Sequence, residues 1–145
     1  MDELLIRQYP DPILNTICKS VDITNEQLIA LDIVKKLQLC AELHKDRYYG
    51  LAANQIGETK RIFIMHPDFV FINPKIIKSS GYINSEEECL SIPNFVAKIR
   101  RRACVTIEYY NEHFTKITKS FTGIDAVCIQ HEMDHLIGKL INDKT

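Results

Sequence analysis

The run Gln130-His131-Glu132-Met133-Asp134-His135-Leu136, close to the C-terminus, constrains this chain more than any other. It sets a His-Glu-x-x-His array inside an apolar stretch, Ile124 to Leu140, whose spacing predicts a helix. Helical residues four apart share a face, with Cβ atoms about 5–6 Å apart, so the imidazoles of His131 and His135 can reach one metal ion. Glu132 lies one step round the helix, beside the ion rather than on it, where it can take a proton from water. A transition metal lowers the pKa of water bound to it from about 15.7 towards roughly 7, which supplies a nucleophile at neutral pH. The opposing reading is an exposed polar face. It fits poorly with Val127, Cys128, Ile129, Leu136 and Ile137 around the pair, because polar groups buried without partners are costly.

The 145 residues, 46% hydrophobic and 26% charged, predict one soluble globular domain spanning 1–145 with a core of its own. A formal charge of −1 makes no electrostatic case for nucleic acid or membrane surfaces. No apolar run approaches the ~20 residues of a membrane span. The start, Met1-Asp2-Glu3-Leu4-Leu5, has neither a basic leader nor a signal core, so an intracellular, cytoplasmic protein is expected, and a monomer is expected besides. Cys18, Cys40, Cys89, Cys104 and Cys128 are odd in number and lack zinc-finger spacing, which argues against a disulfide framework. Cys18, Cys40 and Cys104 read as small core residues.

Along the chain, Tyr9-Pro10-Asp11-Pro12 is a turn signal. Thr24 reads as a helix N-cap, with Gln27 completing a capping box. Leu28, Leu31, Val34, Leu37 and Leu43 then recur at helical spacing, a stripe expected to face the core. Gly50 to Gly57 reads as a tight loop in which the Gln55 amide would by itself be placed in solvent. Arg61 to Met65 and Phe69 to Asn73 are strand-like runs parted by His66-Pro67-Asp68. Glu86-Glu87-Glu88 and Arg100-Arg101-Arg102 are each ordinary as solvated runs. Together they suggest two neighbouring strands bridged by charge. Ala103, Val105, Ile107 and Tyr109 alternate as a strand, the chain turns at Asn111-Glu112-His113, and it pairs again from Phe114 to Phe121. Gly123 opens the metal helix and Gly138 can close it.

Beyond His135 the only side-chain oxygens able to ligate, on Asn142 and Asp143, are poorly placed for a third ligand. That ligand is expected upstream, with Cys89 the best candidate; two imidazoles, one thiolate and an open position suit zinc or ferrous iron. Three segments then carry a resemblance: Gly50-Leu51-Ala52-Ala53-Asn54-Gln55, Glu87-Glu88-Cys89-Leu90-Ser91 and His131-Glu132-Met133-Asp134-His135. In order and content they resemble the signatures of the peptide deformylases, a Gly-rich loop ending Ala-Ala-x-Gln, Glu-Gly-Cys-Leu-Ser and His-Glu-x-Asp-His. Tyr9-Pro10-Asp11-Pro12 and Ile72-Asn73-Pro74 also look like the family, so the resemblance covers nearly the whole chain.

The resemblance implies an α+β fold, with antiparallel strands around a central metal-binding helix and an N-terminal helix packed outside. It implies hydrolysis of the N-formyl group from the formylmethionine that begins new polypeptides. Cys89, His131 and His135 would hold ferrous iron, for which zinc, nickel or cobalt can substitute. Gln55 and the backbone N–H of Leu90 would donate to the developing oxyanion, and Glu132 would carry the proton. Val127 and Cys128 would line the methionine pocket, with Gly50 beside the peptide. Tyr48 and Glu88 stand where the family usually has glycines, bringing bulk and charge to the cleft. Val96 stands where many members have an arginine that helps hold the peptide. The chain stops at Thr145, without the extension associated with ribosome docking. That marks a short, phage-like member with at most weak ribosome contact and no nucleic-acid or membrane partner. Two competing readings are a metallopeptidase on the same helix, which leaves Gln55 and Cys89 idle, and a catalytically silent metal-binding or thiol-sensing protein, which needs neither Glu132 nor Gln55.

Overall fold

In the computed structural model, which describes residues 5–144, helix α1 (Gln27–Leu43) leads into β1 (Gly50–Ala52), β2 (Ile62–Met65), β3 (Phe69–Cys89), β4 (Ile92–Tyr110) and β5 (Lys116–Thr122), then helix α2 (Gly123–Leu136). The five strands form one antiparallel sheet in the order β1-β2-β3-β4-β5. Strand β2 is buried along its whole length, and period-two alternation explains why. Ile62 and Ile64 join Ala30, Ile33, Val34 and Leu37 of α1. Phe63 and Met65 join Ala126, Ile129 and Leu136 of α2. One helix therefore covers each face, and the α+β expectation holds. Within the α2-side layer Phe71 stacks on Phe63 and leans on Tyr109, both at 4.5 Å between ring centroids. Such pairs add about 0.5–1.5 kcal/mol beyond burial. No helix among the described residues is long and apolar enough to cross a membrane.

Helix α1 departs from expectation in two respects. Its buried stripe is Ala30, Ile33, Val34, Leu37, Cys40 and Ala41, whereas Leu28 is 85% and Leu43 63% exposed, and Leu31 is also exposed. Apolar residues recur at helical spacing on two faces of α1, and the sheet covers only one. The expected cap is also not made: the N-cap is Glu26, without a side-chain cap hydrogen bond. The Asp22 carboxylate accepts from the backbone N–H groups of Thr24 and Asn25 at 3.0 and 3.1 Å, while the Glu26 carboxylate accepts from Asp22 N–H at 2.8 Å. These bonds brace the turn that precedes α1, and Thr24 is not its N-cap. Cys18 and Cys40 are core residues, but Cys104 is half-buried on β4.

Strands β3 and β4 are far longer than the sequence pattern suggested, at 21 and 19 residues, and the run of charge at Glu86–Glu88 lies inside the ladder. Register shifts at Ile72/Lys75, Ile76/Lys78 and Glu87/Cys89 allow this hairpin to bend. At the first shift Asn73 adopts φ 52°, a region asparagine tolerates better than most residues, and its amide brackets the backbone of Val21. The hairpin tip is the two-residue turn Leu90-Ser91 between paired Cys89 and Ile92. Helix α2 docks against β4 through Gln130, whose amide donates to Arg102 O and accepts from Arg102 N–H, both at 2.9 Å. It ends at Leu136, short of Leu140. Gly138 N–H donates to His135 O and Lys139 N–H to Asp134 O, closing the helix with Gly138 at φ 77°.

Candidate active site

The end of β3 and the middle of α2 bring Cys89, His131 and His135 together, with one ligand atom from each within 4.8 Å of the others. Cys89 Sγ lies 3.4 Å from His135 Nε2, and the two imidazole centroids are 5.1 Å apart. The Nδ1 side of His131 hydrogen-bonds Glu87 Oε1 at 2.9 Å, which leaves Nε2 to face the thiol. Glu87 is itself held by Arg101, whose Nε and Nη2 donate to its two oxygens at 2.7 Å each. Arg101 Nη1 also donates to Asp134 Oδ2 at 2.8 Å. The strand bridge expected from the two charge runs is therefore real, but it involves one buried pair and a third partner, Asp134, that the sequence reading did not name.

The charges at this centre are set by burial and by specific partners. Burial alone would lower the His131 pKa, yet its contacts with Cys89 and Glu87 outweigh this and raise it to about 10. Burial would raise Glu87, but Arg101 and His131 hold it at about 2. Burial pushes His135 well below the usual histidine range, so its imidazole is neutral and fit to ligate. Two imidazoles and a thiol converging on one buried point match the donor chemistry of a divalent transition metal.

Around this centre lies a cleft of about 680 Å³. Glu132 is 4% exposed, its Oε1 has no hydrogen-bond partner, and burial lifts its carboxyl to about 7. A Cβ on Gly50 would stand 2.7 Å from Glu132 Oε2 and 2.6 Å from Cys128 Sγ, so only glycine lets β1 pass so near. Gln55 is buried, not in solvent as its loop alone suggested. Its Oε1 accepts from Ala52 N–H at 3.0 Å, and its Nε2 donates to Ser91 Oγ at 3.1 Å, with Cys89 Sγ 3.6 Å away. Leu90 is half-buried in the hairpin turn and lines the cleft, as do Val127 and Cys128 on α2. Glu88 is on the rim. Tyr48 is turned into the α1-side core, and its neighbour Tyr49 forms the cleft wall instead. Val96 is exposed outside the cleft lining. Ser91 and Asn54 are fully buried and went unassigned from sequence. Asn54 Nδ2 donates to His135 O at 2.6 Å, tying the Gln55 turn to the ligand helix. Small polar residues inside a motif carry no sequence signal of such partners.

The family model described as polypeptide deformylase matches residues 4–145. The chain belongs to the polypeptide deformylase family. The peptide deformylase of Karelsulcia muelleri (strain GWSS) is 44% identical over 110 residues, which cover 70% of this chain and 58% of that one. The peptide deformylase of Buchnera aphidicola subsp. Cinara cedri (strain Cc) is 37% identical over 147 residues, covering 95% of each. Among solved structures, the Met-Ala-Ser-bound class I type b peptide deformylase of Acinetobacter baumannii matches with a TM-score of 0.89 and 25% identity, covering 100% of both chains. As a deformylase-family member, the chain is a metal-dependent hydrolase.

Proposed function

We propose that this cleft hydrolyses the formyl group from the N-terminal formylmethionine of newly made polypeptides and releases formate. Cys89, His131 and His135 hold the metal, ferrous iron in the working enzyme, with zinc, nickel or cobalt able to replace it. When bound, such an ion polarises the carbonyl and makes water more acidic. Glu132, beside the ligands, accepts the proton from water at its carboxyl and passes it to the leaving amine. The Gln55 amide donates to the carbonyl oxygen as charge develops there, together with the Leu90 backbone N–H. Removal of such a donor costs about 10²–10³ in rate. Val127 and Cys128 receive the methionine side chain, and Gly50 leaves room for the peptide backbone. The partner is a formylated nascent chain, met in the cytoplasm by a monomer with no nucleic-acid or membrane ligand.

The observation that carries this reading is the Gln55 amide, 2% exposed and held against Cys89 and Ser91 with its carbonyl locked by Ala52. A metallopeptidase on the same helix has no need of it, and neither has a silent metal-binding protein. The test uses iron-loaded enzyme with three peptides. Formyl-Met-Ala-Ser releases formate readily, acetyl-Met-Ala-Ser is cut far more slowly, and an unblocked peptide is left whole at its internal bonds. Glu132→Ala keeps its metal and loses about 10²–10⁴ in turnover. Cleavage of an internal bond faster than formate release would transfer the site to the metallopeptidase reading.

A further inference from the structure

The two imidazoles of the ligand cluster are not supported alike. His131 has Glu87 on its Nδ1, whereas no described protein group hydrogen-bonds Nδ1 of His135, a residue only 1% exposed. His135 Nε2 faces Cys89 Sγ at 3.4 Å, so Nε2 is the ligating nitrogen and Nδ1 carries the proton of the neutral ring. That proton is a buried donor that needs an acceptor. An acceptor that needs a donor lies on Asn54, in the short turn Ala53–Ile56 that also carries Gln55. Asn54 is fully buried; its Nδ2 donates to His135 O at 2.6 Å, and its Oδ1 has no partner among the described residues. The amide is not reversed, because Oδ1 would then oppose the His135 carbonyl, acceptor against acceptor. Nor can the turn swing away. Asn54 O accepts from Gly57 N–H at 3.2 Å, Ala53 O from Glu58 N–H at 3.0 Å, and Gln55 O from Arg7 N–H at 2.7 Å.

An unpaired donor and an unpaired acceptor thus sit on two buried residues already joined by one hydrogen bond. Leaving either unmade in the interior is costly, and a single buried water can satisfy both. We propose that Asn54 is a positioning residue for His135: one buried water accepts from His135 Nδ1–H and donates to Asn54 Oδ1. The water fixes the tautomer that leaves Nε2 free to ligate, as Glu87 does for His131. Since Asn54 precedes Gln55, the same side chain sets the spacing between a metal ligand and the amide offered to the substrate carbonyl. The proposal rests on His135 ligating the metal, as in the reaction proposed above.

The test uses the full chain loaded with zinc and labelled with 15N-histidine. In the parent, NMR shows the His135 proton on Nδ1, exchanging slowly and in contact with a long-lived bound water. Asn54→Leu keeps the bulk and removes both polar ends; the water contact disappears, and zinc affinity in chelator competition falls by about 10–100-fold. Asn54→Asp restores an acceptor, as Glu87 supplies at His131, but has no donor for His135 O. Its zinc affinity returns to within about threefold of the parent's, although its zinc-free form melts no higher than that of Asn54→Leu. A purely structural Asn54 would instead make zinc affinity follow the melting temperature of the zinc-free protein. Zinc binding as weak in Asn54→Asp as in Asn54→Leu would overturn the proposal, as would a parent whose His135 Nδ1–H meets no bound water; both leave the ligand set intact. A parent that bound no zinc would overturn the ligand set as well.

Discussion

A methyl group at position 50 would stand 2.6 Å from one buried side chain, Cys128, and 2.7 Å from another, Glu132. Both distances are shorter than packed atoms tolerate, and the interior leaves neither neighbour room to retreat. Gly50→Ala is therefore expected to displace the Glu132 carboxylate and to lower kcat/KM by about tenfold or more, the loss a small misplacement of a catalytic group brings. Metal content would remain that of the parent. Formate release beside metal analysis checks this, and parental activity would show that Glu132 keeps its place. The same scale explains how two glutamates on one site act oppositely. Glu87 has Arg101 and His131 against it and is held at about 2, whereas Glu132 meets mainly burial and rises to about 7. The first is fixed as an anion that orients His131; the second can exchange a proton near neutrality.

Among the elements, Arg101 on β4 is the joint between the hairpin and the ligand helix. It is 5% exposed and binds Glu87 on β3 and Asp134 on α2. Breaking a buried pair from one side leaves an uncompensated charge, at a cost of about 3–5 kcal/mol. Arg101→Ala is expected to lose that much stability in denaturant titration. It is also expected to release metal more readily in a chelator competition, because Glu87 no longer holds His131. Metal retention equal to the parent's would confine Arg101 to stability. Helix α1 offers a matched pair for the choice of face. Leu37, fully buried, should cost about 2–5 kcal/mol on truncation to alanine. Leu28, mostly exposed, should stay within about 0.5 kcal/mol. Equal costs would mean that both faces of α1 are covered in solution.

Over the whole molecule, the two helices on opposite faces of β2 leave the metal-ligand cluster where α2 meets the bent hairpin. The ion would thus join two layers, α2 through its histidines and the hairpin through Cys89. A ligand bound only to the folded state stabilises by about 4 kcal/mol at a thousand times its dissociation constant. For a domain of this size that amounts to a Tm change on the order of 10 °C. Chelation should lower the melting temperature by that order, and zinc should restore it. In Cys89→Ala the response to chelator should largely vanish. Scanning calorimetry with and without metal decides the matter, and an unchanged Tm on chelation would remove the ion from any role in stability.

The sequence by itself determined what depends on neighbours a few residues away. A helix repeats every 3.6 residues wherever it lies, so His131 and His135 share a face and Glu132 flanks them without knowledge of the fold. Gly138 likewise closes α2 through bonds made within a single turn. Alternation in Val105, Ile107 and Tyr109 was enough to mark the C-terminal part of β4, because pleating fixes sides locally. Tertiary structure alone decided which of two apolar stripes on α1 is buried, because a stripe becomes core only where another element covers it. It turned Tyr48 into the core and Tyr49 into the cleft. It carried Gln55 from an apparent loop in solvent to the side of Cys89, and it brought Asp134 to Arg101. These are contacts between residues 33 to 36 positions apart, formed only when the Gln55 turn and α2 each pack against the bent hairpin, and no local pattern encodes them.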